Sequence, residues 1–327
     1  MKKILLGGIV IVVLFGAFFL WGRTDKKELV TEMKEERKKL SVVATFYPLE
    51  EFARQVADDR ATVTSIVPAG VEPHEYEPTP QDILKAYQAD IFLMNGAGLD
   101  PWAEKIRPEL KERGVKVLEM AELVTLLPGS HKHEEEEAGH EEEAGAEHGE
   151  DEFDPHFWLD PVFVEVEVKA IHTALVSNDK EGSSVYDERR DAYLKELRDL
   201  DAAYKKDLSQ CRLDTVVTSH EAFLYMAKRY GFKTLAVSGI SPEAEPSPRH
   251  LAEISSTVKN KGIKHIFFET LISPKVAETL AREAGADTLV FNPIEGLTDE
   301  ERSAGENYLS LMQKNLENLK IALQCQN

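Results

Sequence analysis

The chain has 327 residues, and 42% of them are hydrophobic, which is enough for two globular domains with their own cores. The formal net charge of -20 argues against nucleic acid as a partner, because phosphate binding needs basic patches. Residues 131–154 hold twelve Asp or Glu and one Lys, a net of -11, which leaves -9 for the rest. The acidity is therefore mostly a property of one segment.

The N-terminus has the pattern of an export signal. Two lysines precede an apolar or glycine run from Ile4 to Trp21, which as a helix would be about 27 Å long, about one bilayer core. No small-x-small cleavage site is obvious, and no cysteine follows the run. Residues 1–22 therefore predict an uncleaved membrane anchor with the body outside the cytoplasm, and a cleaved signal is the alternative. Residues 23–40 are highly charged and predict a tether.

Strand and helix patterns alternate through the first half. Short β-branched or apolar runs predict strands at residues 41–46, 63–67, 91–94 and 115–118. Helical patterns cover residues 48–56 and 102–113, and another helix is predicted to start at Pro80 with Thr79 as its cap. This alternation predicts an N-terminal α/β lobe over residues 41–160 with a mostly parallel sheet. Inside it, residues 130–153 have no periodicity and predict a loop.

The second half repeats this plan after two helices. Helical patterns cover residues 161–176 and 184–210, and the second, about 40 Å long, would connect the halves. Strands are then predicted at 215–218, 234–237, 265–268 and 288–291, with helices at 221–230, 248–261, 274–284 and 308–323. We expect an α/β fold of two (β/α)4 lobes with parallel sheets, joined by a long rigid helix within residues 161–210, with residues 211–327 as the C-terminal lobe. The cleft between the lobes would face the strand ends, the usual ligand position in α/β sheets.

Only two cysteines are present, Cys211 and Cys325. In an exported protein such a pair is a disulfide candidate. A bond between them would fasten the final helix to its lobe. Two unpaired buried thiols are the alternative.

Three histidines lie in local motifs that are far apart in the sequence. They are His74 in Pro73-His74-Glu75-Tyr76-Glu77-Pro78, His156 in Asp154-Pro155-His156-Phe157-Trp158-Leu159-Asp160-Pro161, and His220 in Thr218-Ser219-His220-Glu221-Ala222-Phe223. Each precedes a predicted helix, where an α/β cleft would gather them. A fourth such loop, Asn292-Pro293-Ile294-Glu295-Gly296-Leu297, supplies a carboxylate at Glu295. Three imidazoles and one carboxylate complete a tetrahedral Zn²⁺ site with protein atoms alone.

Other residues near these motifs suggest supporting roles. Asp154 or Asp160 can hold the second ring nitrogen of a ligating histidine, and Trp158 can form a wall of the site. Within the acidic segment, four further histidines suggest a low-affinity collector that hands metal to the cleft: His131, His133, His140 and His148. The alternative is a solvated acidic loop in which these histidines are incidental.

Together these motifs resemble the metal-binding receptors of ABC importers, which include zinc-uptake receptors and manganese-binding lipoproteins. The resemblance covers roughly Ser41 to Leu323. Besides the four motifs above it is carried by Ala44-Thr45-Phe46-Tyr47-Pro48, Val67-Pro68-Ala69-Gly70 and Asn95-Gly96-Ala97-Gly98-Leu99-Asp100-Pro101-Trp102.

The resemblance implies one metal ion in the cleft between two lobes linked by a rigid helix. His74, His156 and His220 match the three histidine ligands of zinc members, and Glu295 falls in the loop that supplies their acidic ligand. Manganese members usually have a carboxylate where His220 stands. Gram-positive members are usually lipoproteins, and this chain departs from them because it lacks the lipid-bearing cysteine.

We therefore expect a non-catalytic, extracytoplasmic Zn²⁺ receptor, a monomer, that delivers metal to an ABC permease. One alternative is a zinc-dependent hydrolytic enzyme, in which a water would be the fourth ligand and Glu295 the general base. The others are a Mn²⁺ or Fe²⁺ receptor of the same family and a metal buffer without a transporter.

Overall fold

The computed structural model describes residues 39–129 and 153–326. The N-terminal apolar run, residues 23–38 of the charged tether, and the collector histidines at positions 131, 133, 140 and 148 lie outside these ranges. Within the described ranges no helix is both long enough and apolar enough to cross a membrane.

The first half contains a four-stranded parallel sheet with strand order β2-β1-β3-β4. Its strands are β1 Leu40–Ala44, β2 Ala61–Ser65, β3 Ile91–Met94 and β4 Lys116–Glu119. Helices α1 Tyr47–Ala57, α2 Pro80–Tyr87 and α3 Pro101–Glu112 connect them. The central strand β3 is buried along its whole length, as expected for a parallel strand that is covered on both faces. Val42 of β1 pairs with Val63 on one side and Ile91 on the other.

The second half repeats the arrangement with strand order β6-β5-β7-β8, again all parallel. Its strands are β5 Thr215–Thr218, β6 Lys233–Ala236, β7 His265–Phe268 and β8 Asp287–Val290. Two helices precede it, α4 Pro161–Asn178 and α5 Ser183–Asp207, and five lie within it, α6 Leu224–Tyr230, α7 Pro248–Lys261, α8 Lys275–Ala284, α9 Asp299–Ser303 and α10 Tyr308–Leu323. The predicted α/β fold with two parallel-sheet lobes is confirmed.

Helix α5 packs against α1 from the first half and against α10 from the second. Its buried positions recur at helical spacing, and their rings and aliphatic groups enter one apolar core that reaches from β1 to α10: Tyr186, Tyr193, Leu194, Leu197, Leu200 and Tyr204. Each sheet also has a smaller apolar cluster of its own, on the face that points away from this core. The long helix thus contacts elements of both lobes.

Most predicted boundaries are within two or three residues of the observed ones, and the start of α6 is among the least accurate of these. The pattern predicted a helix from Glu221, but α6 begins at Leu224. The backbone before Leu224 makes hydrogen bonds outside the helix. The Glu221 N–H donates to Gly239 O, and the His220 carbonyl accepts from Thr218 Oγ1. The short helix α9 was not predicted.

Cys211 and Cys325 form a disulfide, as predicted. Cys211 follows α5 and precedes β5, whereas Cys325 lies just after the end of α10. The bond fastens the last helix to the strand that begins the second sheet.

Candidate metal centre

Four side chains from four loops meet at the cleft between the two sheets: His74, His156, His220 and Glu295. His74 lies between β2 and α2, and His156 lies just before α4. His220 directly follows β5, and Glu295 follows β8. The carboxyl ends of parallel strands share one edge of a sheet, so the loops after β5 and β8 lie at the same edge, with β7 between the two strands.

The ligand atoms of these residues all lie within 4.8 Å of one another, and five of their six mutual distances are close to tetrahedral edges. His156 Nε2 lies 3.1 Å from His74 Nε2 and 3.2 Å from His220 Nε2. Glu295 Oε1 lies 3.4 Å from the Nε2 atoms of His74 and His156 and 3.3 Å from that of His220. A regular tetrahedron with zinc–ligand bonds of about 2.0–2.1 Å has edges of about 3.3–3.4 Å. These five edges therefore fit a four-coordinate site for one ion of this size.

The group is almost completely enclosed. The side chains of His156 and His220 are fully buried, and those of Glu295 and His74 are 2% and 7% exposed. Burying polar and charged groups away from water is costly unless they are paired or bind a cation. The small exposed fraction of His74 makes it the outermost of the four.

His156 is oriented by a carboxylate on its other ring nitrogen. Its Nδ1 lies 2.7 Å from Asp154 Oδ1, which also accepts the backbone N–H of His156. A carboxylate only accepts, so Nδ1 carries the proton and Nε2 offers a lone pair to the centre of the group. Asp160, the other candidate for this role, instead accepts from Val162 N–H at the start of α4 and pairs with Arg229.

His220 is oriented in the same way by Glu269, a residue that the sequence did not single out. The two Glu269 oxygens lie 2.8 and 2.7 Å from His220 Nδ1, and one of them accepts the His220 backbone N–H. The proton is again on Nδ1, and Nε2 faces the other ligands. Glu269 follows β7, the strand beside β5, and this adjacency was its only available signal.

The inner carboxylate oxygen supports a cation at the centre. Glu295 Oε1 is buried and has no hydrogen-bond donor among the described residues. Two imidazole lone pairs and this oxygen converge within 3.4 Å, an arrangement that repels itself unless a positive charge lies between the atoms. The donor set therefore fits a borderline transition-metal ion.

Carboxylates within and beside the group largely determine the pKa shifts of its members. Burial lowers the pKa of His220, but Glu269 outweighs burial and holds that pKa well above its usual range. Burial likewise lowers the pKa of His156, and Asp154 with Glu295 brings the net shift upward. The pKa of His74 is lowered by burial. Burial raises the pKa of Glu295, but the three imidazoles outweigh it and hold that pKa well below its usual range.

A further carboxylate, Glu72, lies at the edge of the group and was also missed from the sequence. It accepts the backbone N–H groups of His74 and Glu75. Burial and the charge of Glu295 raise the pKa of Glu72 to about 7. It thus holds the turn that presents His74.

The loops around the site are hydrogen-bonded across the cleft. Gly70 N–H, before His74, donates to Leu297 O, after Glu295. Trp158 Nε1 donates to Pro293 O, and its ring lies 5.2 Å from that of His156. Trp158 is fully buried, so the predicted wall residue also joins two of the ligand loops.

A family model described as ZnuA, zinc-uptake complex component A periplasmic, matches residues 42–322. The chain belongs to the ZnuA family. Among curated relatives, the zinc-binding lipoprotein AdcA of Streptococcus pneumoniae strain R6 is 42% identical over 294 residues, 89% of this chain and 57% of AdcA. The chain therefore spans little more than half the length of that relative.

One further relative and one solved domain match along most of their own length. The high-affinity zinc uptake system protein ZnuA of Bacillus subtilis is 37% identical over 285 residues, 87% of this chain and 88% of that protein. The crystal structure of the Zn(II)-bound ZnuA-like domain of S. pneumoniae AdcA superposes with a TM-score of 0.74 at 40% identity, covering 87% of this chain and 99% of that domain.

Proposed function

We propose that this chain is a non-catalytic, extracytoplasmic Zn²⁺ receptor that delivers its ion to an ABC importer. The observation that carries the proposal is the tetrahedral spacing of His74, His156, His220 and Glu295, with carboxylates behind two of the imidazoles. The zinc-uptake and zinc-binding names of the relatives support the same cargo.

The ligand set favours zinc over manganese. Three imidazole nitrogens and a single carboxylate oxygen suit Zn²⁺, whereas Mn²⁺ favours more oxygen ligands. A competition experiment tests this choice. Metal-free protein is dialysed against equal concentrations of Zn²⁺, Mn²⁺ and Fe²⁺ under anaerobic conditions, and the bound metal is measured by mass spectrometry. We expect one zinc per chain, and predominant manganese or iron would contradict the proposal.

The position of Glu295 supports a receptor over a hydrolytic enzyme. A catalytic zinc site keeps one position open for water, with a general base nearby. Here Glu295 Oε1 lies at nearly equal distances from the three Nε2 atoms, which is the position of a fourth ligand and not of a base held away from the ion.

We also propose that the acidic segment collects metal at low affinity through His131, His133, His140 and His148. The position of the segment supports this role, because Asp154 at its C-terminal end bonds His156, one of the proposed ligands. Deletion of residues 131–152 is expected to spare the tight site and to reduce the total zinc bound at excess metal. A variant with all four histidines changed to glutamine, which keeps the acidic charge, separates imidazole binding from carboxylate binding. Unchanged stoichiometry in both variants would exclude a collector.

The remaining parts of the proposal concern attachment and assembly. We propose that Ile4–Trp21 anchors the chain uncleaved in the membrane, that residues 23–40 tether the body to it, and that the receptor works as a monomer beside its permease. N-terminal sequencing of the protein recovered from membranes tests the anchor, and sedimentation of the soluble body tests the monomer. A mature N-terminus beyond Trp21 would exclude the uncleaved anchor.

A further inference from the structure

The residue before the acidic ligand has an unusual backbone. Ile294 has a φ of +58°, in the left-handed region, and is fully buried. For a β-branched residue this conformation is a clear outlier that persists only where its surroundings enforce it. Since Glu295 comes next, the direction in which its carboxylate points depends on this turn.

The turn at Ile294 is enforced first by Asn292. Asn292 Oδ1 accepts the Ile294 N–H at 2.7 Å. The amide of the same side chain donates to Thr270 Oγ1 at 3.1 Å and to Glu301 Oε1 at 3.0 Å. The Asn292 side chain is therefore fixed at both ends, and it holds the backbone that leads into Glu295.

Asn292 is itself held by one residue of the last helix. Asn315 of α10 accepts the Asn292 N–H at 2.9 Å and donates its amide to Asn292 O at 2.7 Å. Asn315 is 1% exposed. Both backbone groups of Asn292 are thus paired with a single buried side chain, which fixes the start of the Glu295 loop relative to α10.

We propose that Asn315 is a positioning residue for zinc: by clamping Asn292 it enforces the left-handed turn at Ile294 and so places the Glu295 carboxylate opposite the three histidines. This inference rests on the proposed zinc-receptor function. Without the clamp only the side chain of Asn292 is held, so its backbone can shift, the left-handed turn at Ile294 relaxes, and the Glu295 carboxylate moves away from its position as the fourth ligand. A water molecule would then take that position.

The test compares Asn315→Ala with Asn318→Ala on the same helix. Asn318 donates to the backbone carbonyl of Val290 at 2.8 Å, so its removal also costs one contact between α10 and the second sheet but leaves the Glu295 loop untouched. Asn315→Leu serves as a second variant, because it keeps a side chain of similar size and loses both the acceptor for Asn292 N–H and the donor to Asn292 O. Thermal unfolding of the metal-free proteins establishes that each variant is folded.

Two measurements read out the site itself. The first is zinc affinity by chelator competition, for which Asn315→Ala is expected to lose about 10–100-fold, as changes behind a metal ligand typically do. The second is visible absorption of the Co²⁺-substituted protein. The visible band of Co²⁺ depends on the identity of its ligands, and we expect a shifted band in Asn315→Ala because water replaces the carboxylate. Asn318→Ala should match the wild type in both.

A double-mutant cycle with Glu295→Ala shows whether Asn315 acts through Glu295. If it does, Asn315→Ala causes no further loss of affinity once Glu295 is gone. Wild-type affinity and Co²⁺ spectrum in a folded Asn315→Ala or Asn315→Leu protein, or full additivity in the cycle, would overturn the positioning role. Absence of zinc binding by the wild type would instead overturn the proposed function, so the two failures are distinguishable.

Discussion

At the scale of single residues, the site depends on carboxylates that do not point at its centre. Asp154 and Glu269 each bind the Nδ1–H of a buried histidine, which fixes both the ring and the tautomer. The Nε2 lone pairs of His156 and His220 are thereby directed to the same point. A ligand histidine without such a partner would have to order its ring on binding, at a cost to affinity.

Changing His156 to Ala is expected to abolish tight zinc binding, because it removes one of four ligands and leaves Asp154 buried without its imidazole. Calorimetric titration of the metal-free protein measures this. His172→Ala is the matched control, since His172 also bonds an acidic residue, Asp187, but lies within α4 away from the four ligands. Unchanged affinity in His156→Ala would remove this residue from the site.

Acidification is expected to release the ion, because ligating histidines must be neutral. Burial lowers the pKa of His156 and of His220, but their carboxylate partners outweigh it, and both net shifts are upward. Protons should therefore begin to compete above the ordinary histidine pKa of about 6.5, and zinc affinity should fall as pH falls through that range. A chromogenic chelator added to the zinc-loaded protein at stepwise lower pH follows the release. Retention of zinc near pH ~4 would contradict a histidine-based site.

At the scale of elements, the sequence predicted helix ends correctly where residues at the end itself determine it. Thr79 and Asp82 form the capping box that starts α2, and Gly262 ends α7 in the left-handed conformation. Helix α6 starts later than predicted, at Leu224, because the residues before it are held by hydrogen bonds to distant parts of the chain. Such a bond joins Glu221 to Gly239, and a local pattern cannot show it.

The site shows the same contrast between features marked by local sequence and features that depend on distant residues. The four proposed ligands lie in distinct local motifs at predictable loop positions, and the structure brings all four side chains together. Glu269 was missed because it lies 49 residues from His220 and no neighbouring residue marks it. The clamp of Asn315 on Asn292 spans 23 residues and depends on how α10 lies against the loop, which sequence periodicity does not specify.

Helix α6 offers a test of how one element supports the cleft. The Tyr225 hydroxyl donates to Asp154 O at 2.8 Å and accepts Leu127 N–H at 2.9 Å. Tyr225→Phe keeps the ring but leaves these groups unpaired, so the free energy of unfolding should fall by about 1–3 kcal/mol. Urea denaturation of the metal-free protein measures it. Tyr230→Phe, which loses only a longer contact to Asp201 at 3.3 Å, is the control, and equal losses in both variants would contradict this role.

At the scale of the whole molecule, the two sheets meet through shared helices and through the ligand loops. Tyr308 of α10 donates to Trp158 O, and Trp158 in turn donates to Pro293 O beside the acidic ligand. Hydrogen bonds therefore connect the apolar core at Tyr308, the Trp158 wall and the loop of the proposed ligand Glu295. The disulfide lies at the other end of β5, because Cys211 precedes that strand and His220 follows it.

Changing Cys211 to Ser is expected to destabilise the fold without weakening the metal site. The bond closes a loop between residues 114 apart, and removing a native disulfide typically lowers the free energy of unfolding by about 2–5 kcal/mol. Chemical denaturation of metal-free protein measures the loss, and the double variant with Cys325→Ser should match the single one. A large drop in zinc affinity in the folded variant would show that the bond supports the site directly.

The central claim is that one zinc ion is held by His74, His156, His220 and Glu295 with no open position. A crystal structure of the zinc-loaded protein, with anomalous diffraction at the zinc edge, tests it most directly. We predict a single tight site with three Nε2 atoms and one Glu295 oxygen at about 2.0–2.2 Å in a tetrahedral arrangement. A water as the fourth ligand, with Glu295 held away from the ion, would contradict the account and favour an enzyme.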